Sequence, residues 1–320
     1  MKILISGGAG FIGSHLVSAL LQEGHELIVV DIKGRPAGLQ ENPQVRWVTH
    51  DVSNPLPAAL RRFKPQRIYN LACCGNPSMR RRDPVRATLT TVIGTRHLLE
   101  LAAECGARLL QGSSGGVYGE PAVHPQPETY FGNVNAAGSR APHDEAHRCA
   151  ESLCMAYAQT TDVDVRIARI FSTYGPGMDA ESGRVISNFV RQALSGEDIT
   201  IYGDGTQSRS FCHVDDMVRG LQQLMESDKA DSITAMNLGS SEEHTLLQLA
   251  ERVLRMTGSQ SRLRHCAPRA DDAHRRRPDI TAAERHIGWR PRIPLQQGLQ
   301  STVEFFRAGR SAQHQRALHS

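Results

Sequence analysis

A glycine-rich turn directly after the first apolar segment constrains the fold of this chain more than any other feature of its sequence. Residues 2–6 (KILIS) have the pattern of a short buried strand, and residues 14–24 show apolar side chains at helical spacing. Between them, Gly7, Gly10 and Gly13 follow the spacing G-x-x-G-x-x-G. Glycine lets such a turn close tightly and lets backbone N–H groups approach a pyrophosphate at the helix N-terminus. A glycine triplet alone often forms only a tight turn, so the surrounding sequence determines whether it indicates a dinucleotide site.

The context is an acidic residue at the end of the second apolar segment. Residues 26–31 (ELIVVD) end in Asp31, which lies 18 residues after Gly13. A carboxylate there can accept hydrogen bonds from both hydroxyls of an adenosine ribose and would repel a 2′-phosphate. The sequence therefore predicts NAD rather than NADP, although Arg35 nearby weakens the distinction. The predicted cofactor site comprises Gly7, Gly10, Phe11, Ile12, Gly13, Asp31, Arg35, Asp51, Val52, Leu71 and Ala72.

Apolar strands alternate with helical segments through the first half of the chain, which predicts right-handed βαβ units and a parallel sheet. The pattern changes after Phe171, where Gly and Pro cluster at 174–177, so a second lobe is expected to begin there. The predicted fold class is α/β, a Rossmann-type doubly wound parallel sheet with a smaller α/β substrate-binding lobe. The predicted domains are 1–171 with about 212–235 returning to it, 172–211 with 236–310, and a frayed tail at 311–320.

The composition disfavours several classes of protein. The chain has 320 residues, 39% hydrophobic and 22% charged, which is ordinary for a globular protein. No window approaches the ~20 apolar residues of a membrane-spanning helix, and the start of the chain lacks a signal-peptide pattern. Seven cysteines without CxxC spacing indicate reduced thiols, so we expect a cytoplasmic protein. The net charge of +4, in scattered arginine runs without interleaved aromatics, favours small anionic ligands over nucleic acid.

Eight segments in order carry a resemblance to a known family. They read GGAGFIGSHL, LLQGSSGGVYG, EPAVHPQPETYFGNVN, VRIARIFSTYGPGM, GRVISNFVRQAL, IYGDGTQSRSFCHVDDMVRGL, NLGSSEEHTLLQLA and RRRPDI. Over about residues 1–307 the chain resembles the extended short-chain dehydrogenase/reductases, and within them the UDP-glucuronate decarboxylases. The resemblance implies NAD in the first lobe, a UDP-sugar between the lobes, and a homodimer packed through helices near 86–104 and 143–159.

The resemblance also implies which residues bind the sugar nucleotide. Arg209 and Arg276 match positions that hold the diphosphate, and guanidinium groups suit that charge because they can bind phosphate through two hydrogen bonds. The positions that match the uridine side are Arg184, Asn188, Tyr202 and Gln207. Ser172 occupies a sugar-contacting position at which the family has Asn.

The family's catalytic groups are largely replaced in this chain. In the family a Tyr takes the proton of the sugar C4 hydroxyl, and a Lys four residues later lowers the pKa of that Tyr and holds the nicotinamide ribose. Here these two positions are His143 and His147. Ser114 matches the family's hydrogen-bonding Ser or Thr, but the Glu implicated in decarboxylation is Gly116. Arg80 stands at an aromatic position.

Three interpretations of the replaced groups remain open. In the first, neutral His143, with an ordinary pKa of ~6.5, is the base, His147 holds the nicotinamide ribose, and activity falls on the acid side near that pH. The product is then UDP-xylose or a UDP-4-keto-pentose. In the second, the chain binds NAD and a UDP-sugar with little or no turnover. In the third, it carries out C4 epimerisation or dehydration of a nucleotide sugar.

A metal site is the weakest hypothesis. His143 and His147 are four residues apart, so a helix would present both imidazoles on one face. However, the sequence offers no third ligand, and Glu145 is not where an H-E-x-x-H motif places its carboxylate. We therefore predict no metal.

Overall fold

Seven of the strands form one parallel sheet at the centre of the protein. The computed structural model of the chain describes residues 1–36, 41–73, 75, 77–228 and 235–318. Its strands are β1 (Lys2–Ser6), β2 (Glu26–Asp31), β3 (Val45–Thr49), β4 (Arg67–Asn70), β5 (Arg108–Ser114), β6 (Val165–Ile170), β7 (Thr173–Tyr174), β8 (Ile199–Tyr202), β9 (Ser208–Ser210), β10 (Cys212–His213), β11 (Ala235–Leu238), β12 (Glu243–Thr245), β13 (Leu263–Cys266) and β14 (Arg275–Arg276).

The helices alternate with the strands through the first half of the chain, as the sequence pattern indicates. They are α1 (Phe11–Gln22), α2 (Ala58–Phe63), α3 (Pro77–Arg82), α4 (Pro84–Cys105), α5 (Ala141–Thr160), α6 (Val185–Ser195), α7 (Val214–Glu226), α8 (Leu246–Thr257), α9 (Thr281–Ile287) and α10 (Leu295–Leu318). A 3₁₀ turn at Gly115–Tyr118 follows β5. None of the described helices is long and apolar enough to span a membrane.

The strand order in the central sheet is β3-β2-β1-β4-β5-β6-β11, and every neighbouring pair is parallel. The order reverses between β1 and β4. In open α/β sheets, ligands bind at the carboxyl ends of the strands beside such a reversal. The predicted Rossmann-type doubly wound sheet is confirmed, and its topology marks the edge where a ligand site is expected.

Both faces of the sheet are buried, which explains why its strands are continuous apolar runs. On one face Ile3 and Ile5 pack with Leu16 of α1 and Met217 of α7. On the other face the intervening Leu4 packs with side chains of α4 and α5. Alternate residues of one strand therefore anchor opposite helix layers.

The second lobe has its own hydrophobic core between α6, α8, α10 and β8. The return to the first lobe runs further along the chain than the predicted 212–235. Strand β11, which straddles the predicted boundary at 235, pairs with β6, and Ala283 of α9, within the predicted 236–310 lobe, packs into the core of the first lobe. The sequence pattern missed this because α9 is short and mostly polar. Residues 229–234 lie outside the described residues.

The predicted frayed tail at 311–320 is instead helical up to Leu318, as the end of α10. Residues 311–318 (SAQHQRAL) are rich in Ala, Gln, Arg and Leu, which all favour a helix, and contain no Gly or Pro. Residues 319–320 lie outside the described residues.

Candidate functional site

A cavity of about 1090 Å³ runs along the carboxyl edge of the central sheet and continues between the two lobes. Most residues predicted from the sequence line it, which brings segments from both lobes to one site. Those lining residues are Gly7, Gly10, Phe11, Ile12, Gly13, Asp31, Asp51, Val52, Leu71, Ala72, Ser114, His143, His147, Ser172, Arg184, Arg209 and Arg276.

The turn after β1 requires glycine at two positions because the backbone passes too close for a side chain. Gly7 adopts φ +74°, and a Cβ there would lie 2.6 Å from the carbonyl carbon of Leu71. A Cβ on Gly13 would collide with the carbonyl oxygen of Gly7. Gly10, the N-cap of α1, offers no side chain to the first N–H groups of the helix. These N–H groups remain available to a phosphate, so the turn fits the pyrophosphate of a dinucleotide.

Asp31 is held at the cofactor end of the cavity by backbone groups. Its carboxylate accepts hydrogen bonds from the N–H of Ala9 at 3.0 Å and of Lys33 at 2.9 Å. Arg35 was predicted to contribute here, but its guanidinium pairs with Glu41 at 3.2 Å and does not line the cavity. The carboxylate of Asp31 therefore lines this end of the cavity, with Lys33 beside it, and it can accept the hydroxyl groups of a ribose, which fits NAD.

The segment Leu71–Ala72 is positioned by a buried polar network beneath it. Asn70, the last residue of β4, donates to Gln111 at 2.7 Å and to Thr95 at 3.1 Å, and accepts from Ser6 at 2.6 Å. Because Gln111 and Ser6 belong to the neighbouring strands, the network fixes where this strand ends. It places the following residues against the glycine turn.

His143 and His147, which the resemblance matches to the family's Tyr and Lys, lie together at the start of α5. Nε2 of His143 is 3.2 Å from Oγ of Ser114, and the rings of His143 and His147 are perpendicular with centroids 4.6 Å apart. Ser114 already accepts a hydrogen bond from the N–H of Gly116 at 3.0 Å. Its own proton is thus free to be donated to a neutral imidazole or to a bound hydroxyl.

Burial keeps both imidazoles neutral. The pKa of His143 lies well below 6.5 because of burial and then because of His147 and the guanidinium groups of Arg80, Arg140 and Arg276. Burial and Arg80 lower the pKa of His147 to about 4. The predicted acid limb near pH ~6.5 therefore needs correction, since His143 loses its free electron pair only at a lower pH.

His147 cannot provide the positive charge of the lysine whose position it takes. It is 1% exposed, and neither ring nitrogen has a hydrogen-bond partner among the described residues. Within the same part of the chain, no group of three or more His, Cys, Asp or Glu is placed to hold a metal ion.

Gly116, at the position of the family's Glu, is closed off by an acidic neighbour. A Cβ on Gly116 would collide with Oδ1 of Asp144. Asp144 is 2% exposed and accepts from Nε of Arg140 at 3.1 Å. A side chain at 116 would have to displace this ion pair, so glycine is required there. The i, i+4 spacing of Arg140 and Asp144 could have indicated this ion pair, but our sequence analysis did not identify it.

The arginines contributed by the second lobe differ in how they are paired. Arg209 pairs with Asp272 at 2.8 Å. Nε and Nη2 of Arg276 are buried and have no partner within the described residues. Burial, followed by Arg140 and Arg209, lowers the pKa of Arg276 to about 9, so its guanidinium stays charged at neutral pH. An unpaired buried cation in a cavity is a receptor for an anionic group.

Arg184 links the two lobes. Its guanidinium lies 5.8 Å from the ring centroid of Phe11, in the cofactor turn, and Nη2 donates to the carbonyl of Gly75 at 3.2 Å. The cofactor turn and the second lobe therefore share one wall of the cavity.

Three predicted uridine residues do not line the cavity. Tyr202 is covered by Arg269, whose guanidinium carbon lies 3.9 Å from its ring centroid, and Arg269 is the cavity-lining group there. Gln207 donates to the carbonyl of Tyr202 at 2.6 Å. Asn188 is half-buried on α6. Arg269 lies in a loop without secondary structure, so no periodic pattern could have indicated it.

Comparison with known proteins identifies the chain's relatives. Residues 3–239 match the NAD dependent epimerase/dehydratase family. The chain is 45% identical over 313 residues to a UDP-glucuronic acid decarboxylase of Arabidopsis thaliana, covering 96% of this chain and 89% of the relative. It is 43% identical over 319 residues to one of Danio rerio, covering 98% of this chain and 74% of that protein.

Solved structures agree with this assignment. A UDP-glucose 4-epimerase of Thermotoga maritima, bound to UDP-glucose, matches with a TM-score of 0.88 at 30% identity, over 97% of this chain and 99% of that one. A UDP-glucuronic acid 4-epimerase of Bacillus cereus, in complex with UDP-glucuronic acid and NAD, matches with a TM-score of 0.86 at 25% identity, over 96% and 99% of the two chains. The chain belongs to the NAD dependent epimerase/dehydratase family.

Proposed function

We propose that this protein binds NAD and UDP-glucuronate, oxidises the sugar at C4 and releases its C6 carboxyl group as carbon dioxide, with His143 as the base. The names of its relatives support the substrate and the reaction. One observation carries the role of His143: its Nε2 lies 3.2 Å from Oγ of Ser114 at the cavity wall. The resemblance matches this residue to the family's Tyr.

The proton transfer follows from the protonation state of the pair. Neutral His143 accepts the proton of the C4 hydroxyl, while Ser114 orients that hydroxyl by a hydrogen bond. Bound NAD supplies the hydride acceptor for C4 and, where UDP-xylose is the product, returns the hydride. The resulting 4-keto acid loses carbon dioxide because the ketone accepts the electron pair of the broken C5–C6 bond. With Gly116 in place of the Glu, the product is UDP-xylose or a UDP-4-keto-pentose.

C4 epimerisation is the second candidate function, and a specific observation favours it. Gly116 supplies no carboxyl group, and Asp144 occupies the space where such a side chain would begin. A structural neighbour with UDP-glucuronic acid and NAD is a 4-epimerase. Oxidation at C4 is shared by both reactions, so the fate of the carboxyl group distinguishes them.

The test is a mass-spectrometric assay of the purified protein with NAD and a panel of UDP-, dTDP- and GDP-sugars. We expect release of carbon dioxide from UDP-glucuronate and a rate that remains steady through pH 6.5 and falls only at lower pH. UDP-galacturonate as product would establish the epimerase instead. Binding of NAD and UDP-glucuronate without any product or NADH absorbance would leave a nucleotide-sugar-binding protein without turnover.

We also propose that the protein is a homodimer packed through α4 and α5. Val85 and Leu89 of α4 are 68% and 48% exposed, which gives this helix an uncovered apolar surface. Light scattering on the purified protein tests this, and replacing both residues by Glu should yield a monomer. We further propose a cytoplasmic location, because Cys154 and Cys212 are buried and form no disulfide, as is usual in a reducing compartment.

A further inference from the structure

The guanidinium group of Arg80 lies in the cavity and has no role in the mechanism proposed above. It lies on α3 and lines the cavity together with Ser114, His143 and His147. Among the described residues, no acceptor receives a hydrogen bond from it and no carboxylate forms an ion pair with it. Burial lowers its pKa to about 10, so it still carries its charge at neutral pH.

Two other guanidinium groups of the cavity form ion pairs with carboxylates. Arg140 is held by Asp144, and Arg209 by Asp272. Arg276 has unpaired nitrogens but comes from the second lobe, where it matches a diphosphate position. Arg80 comes from the first lobe, beside the imidazoles.

The positive charge of Arg80 disfavours protonation of both histidines. It is one of the groups that lower the pKa of His143, and it follows burial as the cause of the lowered pKa of His147. The position of the family's lysine is neutral in this chain, so a positive charge has been lost beside the sugar. Arg80 restores a positive charge there from a different element of the fold.

We propose that Arg80 stabilises the negative charge that develops on O4 of the sugar during the reaction. This inference rests on the proposed function. It assigns to Arg80 the positive charge that the Lys supplies in a Tyr–Lys pair. His143 becomes positive only after it has taken the proton, and burial disfavours that charged form, whereas the guanidinium group of Arg80 is charged throughout the reaction. A cation that is fixed beside the reacting atoms stabilises an oxyanion effectively because it needs no reorganisation.

The charge on O4 appears when the carboxyl group leaves. His143 takes the proton of O4, and the hydride of C4 passes to bound NAD, which leaves a C4 ketone. The C5–C6 bond then breaks, carbon dioxide departs, and the electron pair of that bond forms the C4–C5 enolate with its negative charge on O4. That charge is removed when C5 takes a proton from water, and the hydroxide left behind takes the proton from His143, which returns to its neutral form. Arg80 acts on the enolate, so its loss should slow carbon dioxide release more than substrate binding.

The experiment compares Arg80→Met and Arg80→Lys with the wild-type protein, and uses Arg81→Met as a matched control. Arg81 lies on the same helix, is exposed and does not line the cavity. We expect Arg80→Met to lower kcat for carbon dioxide release by roughly 10²-fold while KM changes by less than about threefold. Arg80→Lys should recover about tenfold of this loss, and Arg81→Met should equal the wild type.

A second readout does not depend on turnover. Titration of the histidine ring protons by NMR should show the pKa of His147 rising in Arg80→Met and unchanged in Arg81→Met. An unchanged kcat in Arg80→Met, with wild-type turnover intact, would overturn the inference alone. A rise in KM at constant kcat would also overturn it and would assign Arg80 to the substrate's carboxylate. Absence of turnover in the wild type would instead contradict the proposed function.

Discussion

The two ends of the cavity differ in how their charged side chains are paired. The cofactor end lies at Asp31 and the glycine turn, and the sugar end lies at His143, Arg80 and Arg276. At the cofactor end the carboxylate of Asp31 is already satisfied by two backbone N–H groups, and the glycine turn is closed by backbone contacts. At the sugar end Nε and Nη2 of Arg276 are buried without a partner among the described residues. The first end is organised before any ligand binds, whereas the second needs an anion to complete it. We therefore expect selectivity for an anionic substrate to depend on the sugar end.

The largest expected effect comes from removing the base at the sugar end. We expect His143→Ala to lower kcat by ~10² to 10⁴-fold, because general-base catalysis typically contributes that much. The affinity for UDP should not change, since the arginines matched to the diphosphate belong to the other lobe. Carbon dioxide release measures the first quantity, and calorimetric titration with UDP measures the second.

His286→Ala is the matched control, because His286 is exposed on α9 and does not line the cavity. It should behave as the wild type in both assays. Turnover that survives in His143→Ala would remove the imidazole from the mechanism and leave Ser114 or water as the proton acceptor.

The next effect is on stability and concerns the buried imidazole of His147. Its pKa is about 4 in the folded protein and near 6.5 when unfolded, so the unfolded chain binds more protons between these values. The free energy of unfolding should therefore fall as the pH drops below 6.5, by about 2 kcal/mol from this residue at pH 5. Urea denaturation at pH 7.5 and pH 5 measures the difference.

His147→Leu sharpens this test. Leucine cannot take up a proton, so the loss of stability between the two pH values should shrink by about 2 kcal/mol. At pH 7.5 the substitution should cost little, because both ring nitrogens of His147 lack partners among the described residues. An unchanged pH dependence would mean that His147 is protonated in the folded protein.

The contrast between the two ends also explains what the sequence could predict. The fold followed from apolar runs and from the glycine turn, because both are local backbone requirements that a few adjacent residues display. The positions of His143 and His147 followed from a matched segment in the same way. The contact of Asp144 with Gly116, and the charge that Arg80 contributes to the cavity, depend on elements far apart in the chain. No periodicity reports such facts.

A lobe boundary and a binding-site residue show the same limit of prediction from sequence. The return of β11 and α9 to the first lobe is decided by packing against β6 and the core around Ala283, which short polar segments do not signal. Tyr202 matched a motif but lies behind Arg269. Motif matching located the right region and could not decide which side chain faces the ligand.

A third prediction probes the cofactor end, where backbone contacts dominate. Gly13→Ala places a methyl group against the carbonyl of Gly7, and we expect a loss of roughly 1–3 kcal/mol in stability with weaker NAD binding. Gly309→Ala is the control, since Gly309 is exposed in α10 and a Cβ there meets no atom within 4 Å. It should stabilise the helix by up to ~1 kcal/mol. Thermal denaturation and NAD titration measure both variants.

The smallest effect is expected at Arg35, and it tests the correction to the predicted cofactor site. Arg35 pairs with the exposed Glu41 rather than lining the cavity, and surface ion pairs contribute at most ~1 kcal/mol. Arg35→Ala should therefore change the affinity for NAD by less than about twofold. Asp31→Ala should weaken NAD binding and reduce the protein's preference for NAD over NADP. Calorimetric titration with each cofactor measures the two variants side by side. A large loss in Arg35→Ala would show that this side chain leaves Glu41 to meet the cofactor, and the cofactor end would then be less preorganised than its backbone contacts indicate.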